Sequence, residues 1–473
     1  MSVDPPARSP RRYLKWSAVV VAIVAVGVAV NRWFARNSIP AIEPFNVQQF
    51  ESISVKPERN AIPVFRKAAA GFVDQAAFMA AATPARQNAF PASYDAAIKD
   101  WPLASADIRA WLEANRPAME IWKQGSRLDE ALDVPPEKMT IVTDSSLWTD
   151  AARTFTRLAL LEAARLTSQG HVVEAWEWYR AVLRTSRLIG MHASLIPRLI
   201  GVASQSMATE AVIPWSARPE LTAADLRGAL NDVLLIDAMS PPTSDCLKIE
   251  YFVASNSFGW FESQLGPGTA FFAFGGGRDR AQRSLNLIFA NWLSQADRPR
   301  FQRAPIHHGE IDLFDVDPSQ AVGGLSAAEI ERRGLSGFFP NPLLALMVPA
   351  GFAGIEAIDR EHARRAGLIL VLALELSARE HAELPNDLEA LVKQGYLKSI
   401  PADPFGKGEP MHYRRAEKPA DGGLVWSVWT DGVDQEGKVC VSENQASTDG
   451  DKCFEVRMPP IGKRAAPSKD QKK

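Results

Sequence analysis

The chain has 473 residues, with 53 lysines and arginines against 55 aspartates and glutamates, and 46 % of its residues are apolar. This near-neutral balance excludes a basic nucleic-acid-binding protein and a highly charged disordered chain as descriptions of the whole. Three cysteines are too few for a disulfide-rich scaffold, so an apolar core must stabilise the fold. At about 150 residues per domain, the length suits about three domains, or one large and one small.

The N-terminal region carries the strongest signal. Residues 13–34 have no charge between Lys15 and Arg32, and a helix of this length matches a hydrocarbon core of about 30 Å. We therefore predict a transmembrane anchor over 13–34. A cleaved signal peptide and a buried helix are the alternatives, although the small residues that a cleavage site needs are poorly placed around 28–31.

The charges that flank this segment predict its orientation. Four cations precede the apolar stretch and two follow it nearby: Arg8, Arg11, Arg12 and Lys15 before, Arg32 and Arg36 after. The positive-inside rule then leaves the basic tail 1–12 in the cytoplasm. The expected location is the inner membrane, crossed once through 13–34, with the bulk of the chain in the periplasm.

Between residues 45 and 349 the apolar residues recur mostly at the 3.6-residue period of an α-helix, which predicts a large α-helical periplasmic domain. A predicted hairpin over about 146–188 has Gly170, Ala175 and Tyr179 at the spacing of a tetratricopeptide unit. No second copy follows at the period of about 34 residues. An ordinary helical hairpin and a peptide-binding repeat therefore both stay open.

Glycine and aromatic residues interrupt the helical pattern at about 258–277. Loops over the helical core are typical of such a stretch, and an aromatic groove or a membrane-facing surface is the alternative. A basic cluster follows: Arg278, Arg280, Arg283, Arg298, Arg300 and Arg303. The cluster is typical of a solvated face, and beside a bilayer it can also contact lipid phosphates.

The spacing of the apolar residues changes again after a long predicted helix at about 354–382. A short helix, an Asp-Pro turn, two strands and an acidic Asp-Gly loop then follow in order. This region resembles the C-terminal globular domain of the major pseudopilins of type II secretion systems. The residues that carry the resemblance are Pro385, Leu388, Leu391, Leu397, Pro401, Asp403, Pro404, Phe405, Gly406, Tyr413, Arg414, Ser427, Asp431, Gly432 and Gly437.

The resemblance implies a small α+β domain with a short antiparallel sheet over 350–460, and a link to secretion. The expected fold class is mainly α: a transmembrane helix, a large helical domain and this small domain, with a disordered basic tail at 461–473. The chain departs from the family in several respects. No prepilin-peptidase site precedes the anchor, so assembly into a pseudopilus is not expected.

The resemblance also implies a calcium ion in the loop that follows the last core strand. Here that loop offers Asp431, Asp434 and Glu436, which are oxygen donors of the kind that calcium prefers. Trp429 stands where the family has a glycine, and the paired glycines of the family are reduced to Gly437. A solvated loop without a metal ion is therefore the alternative.

Two cysteines predict a disulfide. In an oxidising compartment, Cys440 and Cys453 would close a polar loop, which stabilises a fold by about 3 kcal/mol in the chain-entropy model. Two free thiols on neighbouring strands are the alternative. Cys246 lies on a predicted helix and is expected to be reduced and buried.

No segment matches a phosphate-binding loop, a nucleophile elbow or a zinc-protease motif, and the adjacent His307 and His308 are typical of a solvated acidic loop. We therefore assign no catalytic or cofactor-binding residue. The sequence favours a non-catalytic envelope scaffold or interaction protein, with envelope proteins rather than nucleic acid as partners. One alternative is a hydrolase-like periplasmic enzyme with its site in the glycine and aromatic region. A pocket of perturbed titratable groups among Glu250, Asp279, His307 and Glu310 would favour it. The other is a peptide-binding helical module.

Overall fold

The computed structural model describes residues 19–30, 33, 39–141, 143, 147–264, 277–334, 351–418, 421–441 and 449–457. In this part of the chain most residues are helical, and the strands form two small antiparallel sheets. The expectation of a mainly α fold with a short antiparallel sheet is confirmed at this level.

The predicted anchor 13–34 lies partly outside the described residues, and the tails 1–12 and 461–473 lie wholly outside them. Residues 19–30 are helical, and most of their valine and isoleucine side chains are between 48 % and 66 % exposed. Within the described ranges, the structure contains no helix with the length and apolarity needed to span a membrane.

Twelve helices of the body follow one another along the described residues between 47 and 334. They are α1 Val47–Glu51, α2 Ile62–Ala69, α3 Gln75–Met79, α4 Pro84–Lys99, α5 Ala106–Gly125, α6 Leu147–Ser168, α7 Val172–Leu188, α8 Leu195–Ser216, α9 Ala223–Ala238, α10 Thr243–Gln264, α11 Gly277–Ala296 and α12 Ala327–Gly334. Between α11 and α12, strands β1 (Ile306–His307) and β2 (Leu313–Phe314) form a two-stranded sheet.

Local sequence explains several of these boundaries. Helices α6 and α7 form the hairpin region predicted from the sequence, and Gly170 between them has φ +85°, a conformation that glycine adopts without strain. Ser105 caps α5 by accepting a hydrogen bond from the backbone N–H of Ile108. Thr222 and Asp225 form a reciprocal capping box at the start of α9.

The C-terminal region begins with the 31-residue helix α13, Gly351–His381, and continues with α14, Glu389–Lys393. Three strands then form an antiparallel sheet in the order β3-β4-β5: His412–Arg415, Gly423–Ser427 and Lys452–Val456. Phe454 of β5 packs on Gly367 of α13, where a Cβ atom would lie only 2.4 Å from the aromatic ring. A glycine at this position lets the sheet lie close to the helix.

Helix α13 connects the two parts of the chain. It packs along α8 and α9 on one side and against β4 and β5 on another. The apolar run 368–376, too short to cross a membrane, is buried in the largest apolar cluster, which extends from α2 to β5. A second cluster surrounds α10, α11 and β2. The domain boundary at 349/350 remains a prediction, since α13 contributes to the core on both sides of it.

Glu375 is a carboxylate within this apolar run, and it is buried. Its Oε1 accepts a hydrogen bond from the backbone N–H of Arg457, 2.9 Å away, just after β5. Burial raises the pKa of Glu375 to about 7, although Arg379 and Arg457 oppose this shift. The folded chain therefore binds this proton more tightly than the unfolded chain does.

We expect this carboxyl group to make the folded state less stable as the pH rises from about 4.5 to about 7, since the raised pKa lies in the folded state. Glu375→Gln should remove this loss and increase the free energy of unfolding at pH 8 by about 3 kcal/mol. Denaturant unfolding of both chains from pH 5 to pH 8 measures the effect. A variant with the same pH dependence as the parent chain would contradict the assignment.

Candidate binding cleft

A cleft of about 1280 Å³ lies between the helical body and the 395–408 segment that follows α14. Its walls come from four segments that are distant in sequence: 231–243, 296–303, 359–369 and 395–408. This volume exceeds the range of about 300–1,000 Å³ that is typical of small-molecule sites. The cleft is therefore large enough for a segment of another chain.

The 296–303 wall follows the end of α11. Pro299 precedes a short 3₁₀ turn, Arg300–Gln302, which directs neighbouring side chains in different directions. Phe301 in this turn is 47 % exposed although it lines the cleft. Its ring lies beside Gly408 on the opposite wall, where a Cβ atom would lie 3.1 Å from the Cζ of Phe301.

The opposite wall, 395–408, is held in place by the buried Asp403. Its Oδ1 accepts hydrogen bonds from the Phe405 N–H at 3.0 Å and the Ser427 hydroxyl at 2.7 Å. Its Oδ2 accepts one from the Val428 N–H at 2.8 Å. One carboxylate thus attaches the Asp-Pro turn to the end of β4.

The other carboxylates that line the cleft are also bound by protein groups, through hydrogen bonds or ion pairs. Asp359 binds both terminal nitrogens of Arg303, at 2.6 and 2.9 Å, and burial raises the pKa of Asp359 although Arg303 opposes this. Asp237 pairs with Arg365. Asp297 accepts a hydrogen bond from the backbone N–H of Ser244 at 2.8 Å.

Behind the cleft, Glu361 of α13 lies fully buried among arginines. Its Oε1 is 2.6 Å from Arg187 of α7, and its Oε2 is 3.4 Å from Arg198 of α8. Arg365 lies 3.4 Å from Oε1 and lines the cleft. Burial alone would raise the pKa of Glu361, but these arginines lower it well below its ordinary value. Burial and Arg365 also lower the pKa of the neighbouring His362 to about 3, so this imidazole is neutral at physiological pH.

Three cations of the cleft pair with no carboxylate among the described residues. Arg298 and Lys398 are exposed. Arg300 is half-buried, its guanidinium lies 4.7 Å from the ring centre of Phe405, and its Nη2 is 3.4 Å from the carbonyl oxygen of Thr430. Its Nη1 is buried and has no hydrogen-bond partner. We call the part of the cleft that these three cations line its mouth. The whole lining holds five cations against four carboxylates, an excess of one positive charge.

The basic cluster that the sequence suggested is therefore divided in the structure. Arg280 donates to the carbonyl of Arg333, and Arg283 donates to the carbonyl of Ile39. Only the second half of the cluster, Arg298, Arg300 and Arg303, lines the cleft.

In the predicted calcium loop, the three carboxylates form hydrogen bonds or ion pairs with nearby protein groups. Asp431 accepts hydrogen bonds from the N–H groups of Val433 and Gly450, at 3.0 and 2.9 Å. Asp434 accepts from the Trp426 indole at 2.9 Å and from the Glu436 N–H at 2.7 Å. The Glu436 side chain pairs with Lys438.

No group of three or more histidine, cysteine, aspartate or glutamate side chains within the described residues has the geometry to hold a metal ion. A calcium site at Asp431, Asp434 and Glu436 therefore remains a prediction.

A disulfide closes the same loop. The sulfurs of Cys440 and Cys453 lie 2.01 Å apart and their Cα atoms 5.5 Å apart, while residues 442–448 between them lie outside the described part. Cys246 is a buried free thiol, and burial raises its pKa to about 12. This thiol is therefore protonated at physiological pH and is a weak nucleophile.

The residues considered for an enzyme site lie elsewhere. His307 contacts Glu331 at 2.9 Å, and the N–H of Glu310 donates to the same carboxylate. Glu250 accepts a hydrogen bond from the Leu195 N–H at 2.6 Å. Neither these side chains nor Asp279 line the cleft. Of the glycine and aromatic region, residues 265–276 lie outside the described part.

No protein-family model, no curated protein and no solved structure matches the chain.

Proposed function

We propose that the chain is a membrane-anchored, non-catalytic interaction protein of the cell envelope, and that the cleft is its partner-binding site. The observation that carries this proposal is how the polar side chains of the cleft are used. Three of its four lining carboxylates accept hydrogen bonds from the protein and the fourth, Asp237, forms an ion pair with Arg365, which makes all four poor general bases. The exposed Phe301 and the cations at the mouth are instead available to a partner.

The N-terminal segment supports the anchor. Single exposed aliphatic side chains are common on soluble proteins. A helix that exposes aliphatic side chains on every turn is not common there. Residues 19–30 expose most of their valine and isoleucine side chains, as a helix surrounded by lipid would. The disulfide between Cys440 and Cys453 supports an oxidising compartment, which agrees with a periplasmic location.

Backbone geometry supports the resemblance to pseudopilins and hence a role linked to secretion. Trp429, at a position where the family has a glycine, has φ +53°. Glu436 and Gly437, in the part of the loop where the family has paired glycines, have φ +60° and +66°. Residues other than glycine adopt this left-handed conformation rarely, so the loop keeps a shape that suits glycine.

Site-specific photocrosslinking in native membranes tests the proposed site. A photoreactive benzoylphenylalanine at Phe301 should form adducts with a small set of envelope proteins, since this ring is exposed within the cleft. The matched control is the same probe at Val173, which is 53 % exposed on α7 and does not line the cleft. Adducts that are absent at 301, or identical at 173, would overturn the proposal.

A further inference from the structure

We infer that the occupant of the cleft is an extended, acidic segment of a partner protein, recognised by Arg298, Arg300 and Lys398. This inference rests on the proposed function, since it names the chemistry of the partner that the cleft binds. Three features carry it: the distribution of charge, the position of Arg300 and the shape of the apolar surface beside them.

The charges in the cleft do not balance. Two of its arginines already have carboxylate partners, since Arg303 binds Asp359 and Arg365 binds Asp237. The remaining carboxylates accept bonds from backbone N–H and hydroxyl groups. Five cations thus face four carboxylates in the lining, an excess of one positive charge. The three cations at the mouth form no ion pair with a carboxylate of the described residues, and an acidic ligand would provide one.

Arg300 is already positioned for such a ligand. Its guanidinium lies over the ring of Phe405, which fixes the plane of the group and reduces the entropy lost when a ligand binds. A carboxylate beside this guanidinium would add a charge-assisted hydrogen bond, which is stronger than a neutral one.

The apolar surface beside these cations points to a peptide chain. Phe301 is exposed next to Arg300, and Leu234 and Ile369 line the cleft as well. In an extended peptide, side chains alternate between two sides, so acidic residues and apolar residues can face different walls. The volume of about 1280 Å³ suits several residues of such a chain.

Fluorescence anisotropy of labelled peptides with the detergent-solubilised full chain tests the inference. The probes are eight-residue peptides of alternating aspartate and leucine, and the same peptides with asparagine in place of aspartate. The aspartate peptide should bind at least about tenfold more tightly, and its affinity should fall as salt is added. Equal affinity of the two peptides would overturn the inference.

Charge reversal locates the binding. Arg298→Glu combined with Lys398→Glu should weaken the aspartate peptide by about tenfold or more, since both side chains are exposed at the mouth. Lys56→Glu with Lys67→Glu is the control, because it changes the net charge equally at exposed lysines that do not line the cleft. Equal losses in both variants would show a general charge effect and overturn the inference. Thermal unfolding of both variants verifies that each is folded.

Two further outcomes separate this inference from the proposed function. Vesicles of phosphatidylglycerol that bind through the same two residues, and displace the peptide, would identify a lipid surface as the occupant and overturn the inference. Crosslinked partners at Phe301 together with no preference for the aspartate peptide would overturn the acidic ligand and leave the binding site standing. If no partner is crosslinked at Phe301 and the aspartate peptide is not preferred, the proposed function and this inference are both overturned.

Discussion

Glu361→Gln is expected to destabilise the folded chain by about 3–5 kcal/mol, the range measured when one partner of a buried ion pair is removed. Glu361 is fully buried and is the shared counter-charge of Arg187 and Arg198, which are each 1 % exposed, whereas Arg365 also pairs with Asp237. Glutamine keeps the shape of the side chain but loses its charge. The cations would then remain buried without a counter-charge, where desolvation is costly.

The matched control is Glu356→Gln, the same substitution five residues earlier in α13. Glu356 pairs with Arg360, and the two side chains are 41 % and 38 % exposed. Exposed pairs of this kind contribute about 0.5 kcal/mol or less. Denaturant unfolding of the two variants at neutral pH compares them directly, and equal losses would contradict the role of Glu361.

Arg187→Met in the Glu361→Gln background provides a second check. If the loss arises from uncompensated charge, removal of one buried arginine should restore part of the stability. Additive losses in this double-mutant cycle would instead show that packing, and not charge, causes the effect.

Asp403→Ala is expected to destabilise the C-terminal region by about 3 kcal/mol, because three buried donors lose their charged acceptor together. These donors are the N–H groups of Phe405 and Val428 and the hydroxyl of Ser427. The 395–408 wall should separate from β4, so binding of the aspartate peptide should weaken as well. Denaturant unfolding and peptide anisotropy measure the two effects.

Asp387→Ala is the matched control for this substitution. The carboxylate of Asp387 is exposed and accepts one hydrogen bond, from the Ala390 N–H at 2.9 Å. Its loss should cost about 1 kcal/mol, as for other helix-capping residues, and should leave peptide binding unchanged. A stable Asp403→Ala chain with normal peptide binding would contradict the role given to Asp403.

Local patterns in the sequence were sufficient for the helical class, for the α6–α7 hairpin and for the order of the Asp-Pro turn and the strands near 412–427. Each of these features depends on residues that are close in sequence. The patterns are the spacing of apolar residues, a glycine with positive φ, and a turn. Strand β5 was not predicted, although Phe454 and Val456 alternate with Glu455. A five-residue strand after a polar loop gives too short a pattern to be distinguished from a loop.

The cleft could not be predicted because none of its walls is a local pattern. Its segments are up to about 177 residues apart in the chain, as between Asn231 and Gly408. The sequence indicated the arginine cluster but not the contact of Arg303 with Asp359, 56 residues away. In the same way, the sequence shows Glu361 only as a charged residue in a helix. Its contact with Arg198 could not be predicted, because Arg198 lies 163 residues before it.

Competition at residue 301 tests most directly whether the cleft binds the partner. The photoreactive probe at Phe301 of the full chain is irradiated in native membranes, with and without a saturating concentration of the aspartate–leucine peptide. We expect the peptide to remove the adducts at 301, and the asparagine–leucine peptide to leave them unchanged, because partner and acidic peptide occupy the same cleft. Adducts that persist undiminished when the aspartate peptide is bound would contradict this account.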